Sequence, residues 1–240
     1  MIPVFVTTFE RPEFCYDLLL QLSEEDRAHG GIFQVMTVAD KCPDDYTFSR
    51  NLSTHMGWRF DTASEHYGMK KYKNLLNRFA NYMRFSDAPF FLFLQDDVTL
   101  APGFWDKVKQ TMNLIQDPSF GCLNLHVDAA RANGVQGGPL WTSVEPERTQ
   151  QYDKLGWFDM PAFIGSREMF ECVRFDVPSV ESWTSSGVPC GWSRALVDAG
   201  LSIFRTRKSL VKHREGPSKM HPDTNPFLKL CSTTVDFAES

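Results

Sequence analysis

The segment PFFLFLQDDV, residues 89–98, constrains this chain most. Phe90, Phe91, Leu92, Phe93 and Leu94 run without a polar break and stop abruptly at Gln95, Asp96 and Asp97. A short continuous apolar run reads as a strand buried on both faces, as in a parallel sheet covered by helices. Two adjacent carboxylates at its C-terminal end then lie where open α/β sheets bind ligands. Carboxylates in a cleft repel each other and lose solvation unless something positive joins them. A hard divalent cation, Mg2+ or Mn2+, is the usual answer and is often shared with a substrate phosphate. On this segment alone, a turn that happens to contain two Asp residues is the simpler alternative.

The surrounding pattern alternates strand and helix. Residues 2–9 are strand-like. Pro12 suits a first helical turn, and Phe14, Leu18 and Leu22 follow on one helical face until Gly30 and Gly31. Residues 32–39 form a second apolar strand closing at Asp40, residues 41–48 read as loop, and residues 57–62 as a short strand. A helix is expected over 70–84, with Leu75, Leu76, Phe79, Tyr82 and Met83 on one face. After the apolar strand, Pro102 opens another helix carrying Phe104, Trp105, Val108, Met112 and Ile115, and residues 120–127 form a further strand. This order argues for an α/β fold with a mixed, mostly parallel sheet flanked by helices. Residues 129–149 are rich in Gly and polar side chains and read as a mobile loop that closes over substrate. Beyond Trp157 the pattern is less regular. Helices are expected over 167–173 and 192–199, the second stopped by Gly200, and a strand over 201–206. The tail from His213 reads as irregular. No repeat or linker divides the chain, so it reads as one domain, 1–240.

With 240 residues and a net charge of −5, the chain offers no long-range attraction to nucleic acid or anionic membrane. Its 20 Phe residues point to an aromatic core. Six cysteines are scattered without a CxxC pair, which suits buried free thiols in a reducing compartment. The opening MIPVFVTTFER lacks a basic start and reads as a strand rather than a signal peptide. No apolar run approaches ~20 residues. A soluble, cytoplasmic protein is expected.

Several residues can serve the carboxylate pair. Asp40 also ends an apolar strand, so it should lie near Asp96 and Asp97, where an acid can hydrogen-bond a ribose or base; a turn-former is the alternative. Thr7, Thr8 and Arg11 follow the first strand, and a guanidinium there can fork onto a diphosphate. Lys70, Lys71 and Lys73 sit at a helix start, which disfavours cations unless phosphate offsets them. His213 and His221 lie in SLVKHREGPSKMHP, and imidazole is a good ligand for a divalent metal. Trp141, Trp157, Trp183 and Trp192 can stack on sugars or simply fill the core. There is no GxSxG elbow, no GxxxxGK[ST] loop and no GxGxxG turn, which weakens hydrolase, ATPase and dehydrogenase readings.

With these residues in place, the chain resembles a GT-A fold glycosyltransferase. FERPEFCYDLLLQL resembles the start of nucleotide-sugar transferases, and HYGMKKYKNLLNRFANYMRFSDAPFFLFLQDDVTLAPGFWDKV resembles the region around their acidic DxD or EDD motif. The first half is similar in particular to N-acetylglucosaminyltransferase I and its relatives. The resemblance implies a nucleotide-sugar-binding half, 1–127, and an acceptor-binding half with the tail, 128–240. It implies Mn2+ or Mg2+ held by Asp97 and His213, with Asp96 on ribose or sugar, Thr7, Arg11 and Asp40 on the nucleotide, and Lys73 on the diphosphate. Gln95 stands where the family has an acid, which lowers the charge of the site by one.

The implied activity is metal-dependent transfer of a sugar, from a UDP-sugar by preference, to an acceptor hydroxyl with inversion. An inverting enzyme needs a general base. The relatives' acid falls here on Ser185, Ser186 and Gly187, which leaves Glu181 and Asp159 as the nearest candidates; if neither serves, transfer with retention or another activation of the acceptor is the alternative. The acceptor is a glycan, a lipid-linked sugar, a protein or a modified DNA base. A viral enzyme acting on hydroxylated DNA bases is one alternative. A nucleotidyltransferase is another, although TTFERPEF has no Gly. A non-catalytic nucleotide-sugar-binding module is a third.

Overall fold

The computed structural model describes residues 1–41, 44–67, 72–127, 147–149, 152–156, 160–173, 187–214, 234, 237 and 238. In chain order the elements are β1 (Ile2–Thr8), α1 (Pro12–Ala28), β2 (Phe33–Ala39), α2 (Thr47–His55), β3 (Arg59–Thr62), α3 (Tyr72–Arg84), β4 (Phe90–Gln95), β5 (Val98–Leu100), α4 (Phe104–Leu114) and β6 (Phe120–Asn124). They continue with β7 (Glu147–Arg148), β8 (Tyr152–Leu155), β9 (Ala162–Ser166), α5 (Arg167–Val173), α6 (Gly187–Asp198), β10 (Ser202–Thr206) and β11 (Val211–His213).

A nine-stranded sheet has the order β3-β2-β1-β4-β9-β6-β10-β8-β7, and β11 pairs with β5 beside it. β1, β2, β3, β4, β6, β7 and β10 run one way; β8 and β9 run against them. The mixed, mostly parallel sheet is as expected. Alternate residues of the strands feed two apolar layers. Val4, Val6, Leu92, Leu94 and Leu123 pack with Leu18, Leu22, Phe104 and Val108 of α1 and α4. Phe5, Phe91, Phe93, Cys122 and Phe163 pack with α3, α5 and α6 through Phe79, Met169 and Trp192. Phe91, Leu92, Phe93 and Leu94 are fully buried, so β4 has cover on both faces. The Phe-rich composition becomes contacts such as Phe5 on Phe79, with ring centroids 4.6 Å apart, and Phe93 on Phe163 at 5.2 Å.

Four local readings need correction. The loop expected over 41–48 gives way at Thr47 to α2, whose buried face is Ser49 and Ser53. Small polar residues on the buried face leave little apolar periodicity to read. Pro102 does not open α4. The helix starts at Phe104 after Gly103, which turns the chain with φ 62. Its first N–H groups are capped from another helix, by Glu25 of α1 accepting from Phe104 N (3.0 Å) and Trp105 N (3.1 Å). The third is β9, unread because a five-residue strand follows an irregular stretch. It inserts between β4 and β6, and Gly165 makes room there for the Phe91 ring, which would lie 2.4 Å from an added Cβ. α6 also begins earlier than expected, at Gly187.

Of the loop expected over 129–149, only 147–149 lie among the described residues, and there Glu147–Arg148 form β7 against β8 rather than loop; most of the tail lies outside the described residues. Cys15, Cys122 and Cys172 are free thiols. No described helix is long and apolar enough to cross a membrane.

Candidate active site

The strand ends gather the acids as the parallel arrangement requires. Thr7 pairs with Gln95 where β1 lies beside β4, and the next residue, Asp96, donates its backbone N–H to Thr7 O at 3.0 Å. On the other side of β1, Asp40 N donates to Thr8 O at 2.9 Å. Thr8 thus stands between Asp40 and Asp96, and its hydroxyl donates to Asp96 Oδ2 at 2.6 Å. That hydrogen is spent, so the Tyr46 hydroxyl, 3.0 Å away, is the donor to Thr8 Oγ1, and its oxygen accepts from Arg11 N at 3.3 Å. A chain of hydrogen bonds therefore runs from Arg11 through Tyr46 and Thr8 to Asp96.

Asp40 is held from three sides. Oδ1 accepts from the backbone of Lys41 (2.9 Å) and Tyr67 (2.7 Å), and His66 Nδ1 lies 3.1 Å from Oδ2. His66 stacks on Phe9 with centroids 4.7 Å apart, an aromatic ledge beside the carboxylate. Glu10, between Phe9 and Arg11, takes a left-handed φ of 52, a strained turn for a side chain with a Cβ.

Asp97 meets different neighbours. Pairing of β11 with β5 sets His213 opposite Val98, and Arg214 N donates to Asp97 O at 2.7 Å. His213 Nε2 then lies 3.4 Å from Asp97 Oδ2, and the Arg11 guanidinium donates to that same oxygen. The other oxygen, Oδ1, is buried and has no hydrogen-bond partner among the described residues. Arg214 donates to Thr99 Oγ1 (3.1 Å) and Asp17 Oδ2 (2.8 Å), and both Arg11 and Arg214 lie over the Phe14 ring. Behind them, the ring of buried His126 is 6.2 Å from that of His213. Thr234 Oγ1 joins the two residues, 3.1 Å from His126 Nε2 and accepting from His213 N at 2.7 Å.

The two acids differ electrically. Burial, then the charge of Asp97, pushes the Asp96 carboxyl up, to about 7, against the Thr8 hydrogen bond and Arg11. Burial also opposes charge on Asp97, but His213 and Arg11 outweigh it and hold that carboxyl below its ordinary value. The result is one carboxyl poised near neutrality beside one that stays ionised.

Asp97 and His213 together offer a carboxylate oxygen and an imidazole nitrogen, a donor set suited to Mn2+ or Mg2+. Among the described residues no cluster of three or more His, Cys, Asp or Glu is arranged to hold a metal. A two-residue site leaves positions for water and substrate oxygens, the usual situation for Mg2+.

The structure brings Thr7, Arg11, Asp40, Asp96, Asp97 and His213 to one edge of the sheet. Lys73 is in the first turn of α3, but its side chain lies outside the described residues. Asp159, Glu181, Lys70, Lys71, His221, Trp141, Trp157 and Trp183 are also outside them, while Trp192 packs in the core. Sequence reading missed Phe9, Tyr46, His66, His126 and Arg214. For Arg214 the signal was its place directly after His213; the others carry none.

No protein-family model matches the sequence, and no curated protein matches it. Solved structures do. Mannosyltransferase PcManGT from Pyrobaculum calidifontis, in complex with GDP-Man and Mn2+, is similar with a TM-score of 0.55 at 14% identity, over 84% of this chain and 53% of that one. TarS of S. aureus is similar with a TM-score of 0.59 at 15% identity, over 90% of this chain and 37% of that one. Glucosyl-3-phosphoglycerate synthase from Mycobacterium tuberculosis, in complex with Mn2+, UDP and glucosyl-3-phosphoglycerate, gives 0.54 at 13% identity, over 90% of this chain and 73% of that one. The chain thus spans about half, and little over a third, of the first two. At these identities the likeness is one of fold, and the expected GT-A architecture is borne out at that level.

Proposed function

We propose that this chain is a metal-dependent glycosyltransferase that moves a sugar from a nucleotide-diphosphate sugar, UDP-linked by preference, to an acceptor hydroxyl. The observation that carries the reading is Asp97, where Arg11 and His213 converge on one buried carboxylate oxygen while the other has no partner among the described residues. Its place at the C-terminal edge of β4, in a fold shared with nucleotide-sugar transferases, supports the same reading. A divalent cation held by Asp97 and His213 would act as a Lewis acid towards the leaving diphosphate.

The chain's own groups do the rest. Asp40, with the Phe9–His66 ledge beside it, orients the nucleoside, together with Thr7. Asp96, fixed by Thr8, faces ribose or sugar. Arg11, already at the Asp97 carboxylate, and Lys73 take the diphosphate. Transfer with inversion, with Asp159 or Glu181 as base, belongs to the same proposal, as does the kinship of the first half with N-acetylglucosaminyltransferase I.

The test is thermal unfolding with UDP-, GDP-, CMP- and dTDP-sugars, each with and without Mn2+. Saturation at about 100 times Kd stabilises by about 2.7 kcal/mol. A shift with a UDP-sugar that needs the metal is expected. The absence of any metal-dependent shift across all four donors overturns the proposal.

A further inference from the structure

One row of paired residues crosses the sheet from β1 to β8: Phe5, Phe93, Phe163, Asn124, Arg205 and Asp153. Its first half is three aromatic rings in the apolar layer under α3, α5 and α6. Its second half is polar, although just as buried: Asn124, Arg205 and Asp153 are 0%, 7% and 2% exposed. A buried polar group is retained at a cost unless each donor and acceptor is matched.

Each oxygen of the Asp153 carboxylate accepts from a guanidinium. Oδ2 accepts from Arg205 Nη2 at 2.7 Å and Oδ1 from Arg207 Nη1 at 3.0 Å. Asn124 Oδ1 accepts from His126 N at 3.0 Å, which fixes the amide orientation and leaves Nδ2 as a donor. That Nδ2 and Arg205 Nε are both buried with no hydrogen-bond partner among the described residues. They belong to paired positions on adjacent parallel strands, whose backbones lie about 4.8 Å apart. Two donors lack an acceptor beside two guanidiniums on one carboxylate, and an oxyanion is the acceptor that would also offset the surplus positive charge. Arg207 links this interior to solvent, since its side chain is 44% exposed while that of Asp153 is 3% exposed.

We propose that Asn124 and Arg205 form an oxyanion site, for a phosphate or carboxylate, and that this group is carried by the acceptor. Asn124 ends β6 and Arg205 is the penultimate residue of β10, so both lie on the edge that carries Asp96. From β4 to β10 is three strand spacings, about 14 Å across the sheet. Identifying the group as part of the acceptor rests on the transferase reading; the oxyanion site does not.

Glycerol 3-phosphate, glycerate and glycerol share one carbon skeleton and differ in carrying phosphate, carboxylate or neither. Calorimetric titration of the whole chain should show binding by one or both anions and none by glycerol, and which anion binds tells phosphate from carboxylate. Asn124→Asp supplies a carboxylate opposite Arg205 Nε while keeping Oδ1 for His126. It should raise the melting temperature and weaken anion binding about tenfold or more. Arg205→Lys keeps the charge and loses Nε, and should weaken binding similarly.

Anion binding unchanged in both variants, or lost in Arg11→Ala but kept in Asn124→Asp, places the anion elsewhere and overturns the proposal. No binding of either anion to the parent means that trapped water serves these donors, and also overturns it. UDP titrated into the same samples separates the two readings. Nucleotide binding without anion binding refutes only this site, and the reverse outcome refutes only the transferase.

Discussion

The sheet edge at β1, β2 and β4 and the stretch at β6, β10 and β8 are polar regions of opposite construction. At the first, three carboxylates collect donors: Asp40 takes two backbone N–H groups and faces His66, Asp96 takes Thr8, and Asp97 takes Arg11 and faces His213. At the second, two buried donors are left unmatched. Both oxygens of Asp153 accept from guanidiniums, while Asn124 Nδ2 and Arg205 Nε find no partner among the described residues. Neither arrangement follows from the needs of folding, because well-packed apolar residues in place of a buried ion pair are often neutral or stabilising. The surplus charge has opposite sign in the two regions, which fits a cation with a nucleotide at one and an anionic group at the other.

The strongest way to break this contrast is Asp97→Ala. Turnover of whichever nucleotide sugar stabilises the protein should fall by about a hundredfold or more, with the circular dichroism spectrum preserved. Undiminished turnover would remove Asp97 from the site and leave the first region a structural ion pair. Arg205→Met probes the second region. Cutting one arm of a buried pair should cost about 3 kcal/mol in urea unfolding, at the low end for such pairs because Asp153 keeps Arg207. The double variant Arg205→Met with Asp153→Leu should regain most of that. If the single variant is already neutral, the pair does not hold β8 on β10.

These two regions differ in how far the sequence displayed them. The first was legible because its signals are local. An apolar run that stops at Asp96 and Asp97, a second that stops at Asp40, and Arg11 after a third each name a strand end, and parallel strands bring such ends together. The second was not, because Asn124, Arg205 and Asp153 become neighbours only through the order β9-β6-β10-β8, in which β8 and β9 run against the rest. Alternation along one strand gives a residue's face but not the strand beside it. The same limit hid Glu25 as the cap of α4 and Tyr46 as the link between Arg11 and Thr8, contacts across 79 and 35 residues of chain.

A smaller effect separates the two carboxyls of the first region. The folded protein holds a proton on Asp96 up to about 7, whereas the unfolded chain releases it near ~3.9. Between those values the folded state binds more protons, so stability should fall as pH rises through the window and level off above it. Asp97 acts with the opposite sign, and only below the ordinary carboxylate range. In chelator-treated protein, Asp96→Asn should flatten the decline across the window, read by urea unfolding against pH. An equally steep curve in the variant would assign the decline to another group.

Tyr46→Phe should have the smallest effect and sharpens the comparison most, because it touches one region alone. The ring stays packed on Phe60, centroids 5.7 Å apart, and only the hydroxyl between Thr8 Oγ1 and Arg11 N is lost. Removal of a hydroxyl in such a chain costs about 1 kcal/mol. Thr8 still donates to Asp96, so the carboxyl keeps its nearest partner, but the backbone of Arg11 loses an acceptor and the guanidinium its fixed approach to Asp97. Affinity for the nucleotide sugar should therefore weaken while glycerol 3-phosphate or glycerate binds as before. A parallel loss of both would mean that the two regions are coupled through β1, β4 and β9, and that the sheet edge works as one site rather than two.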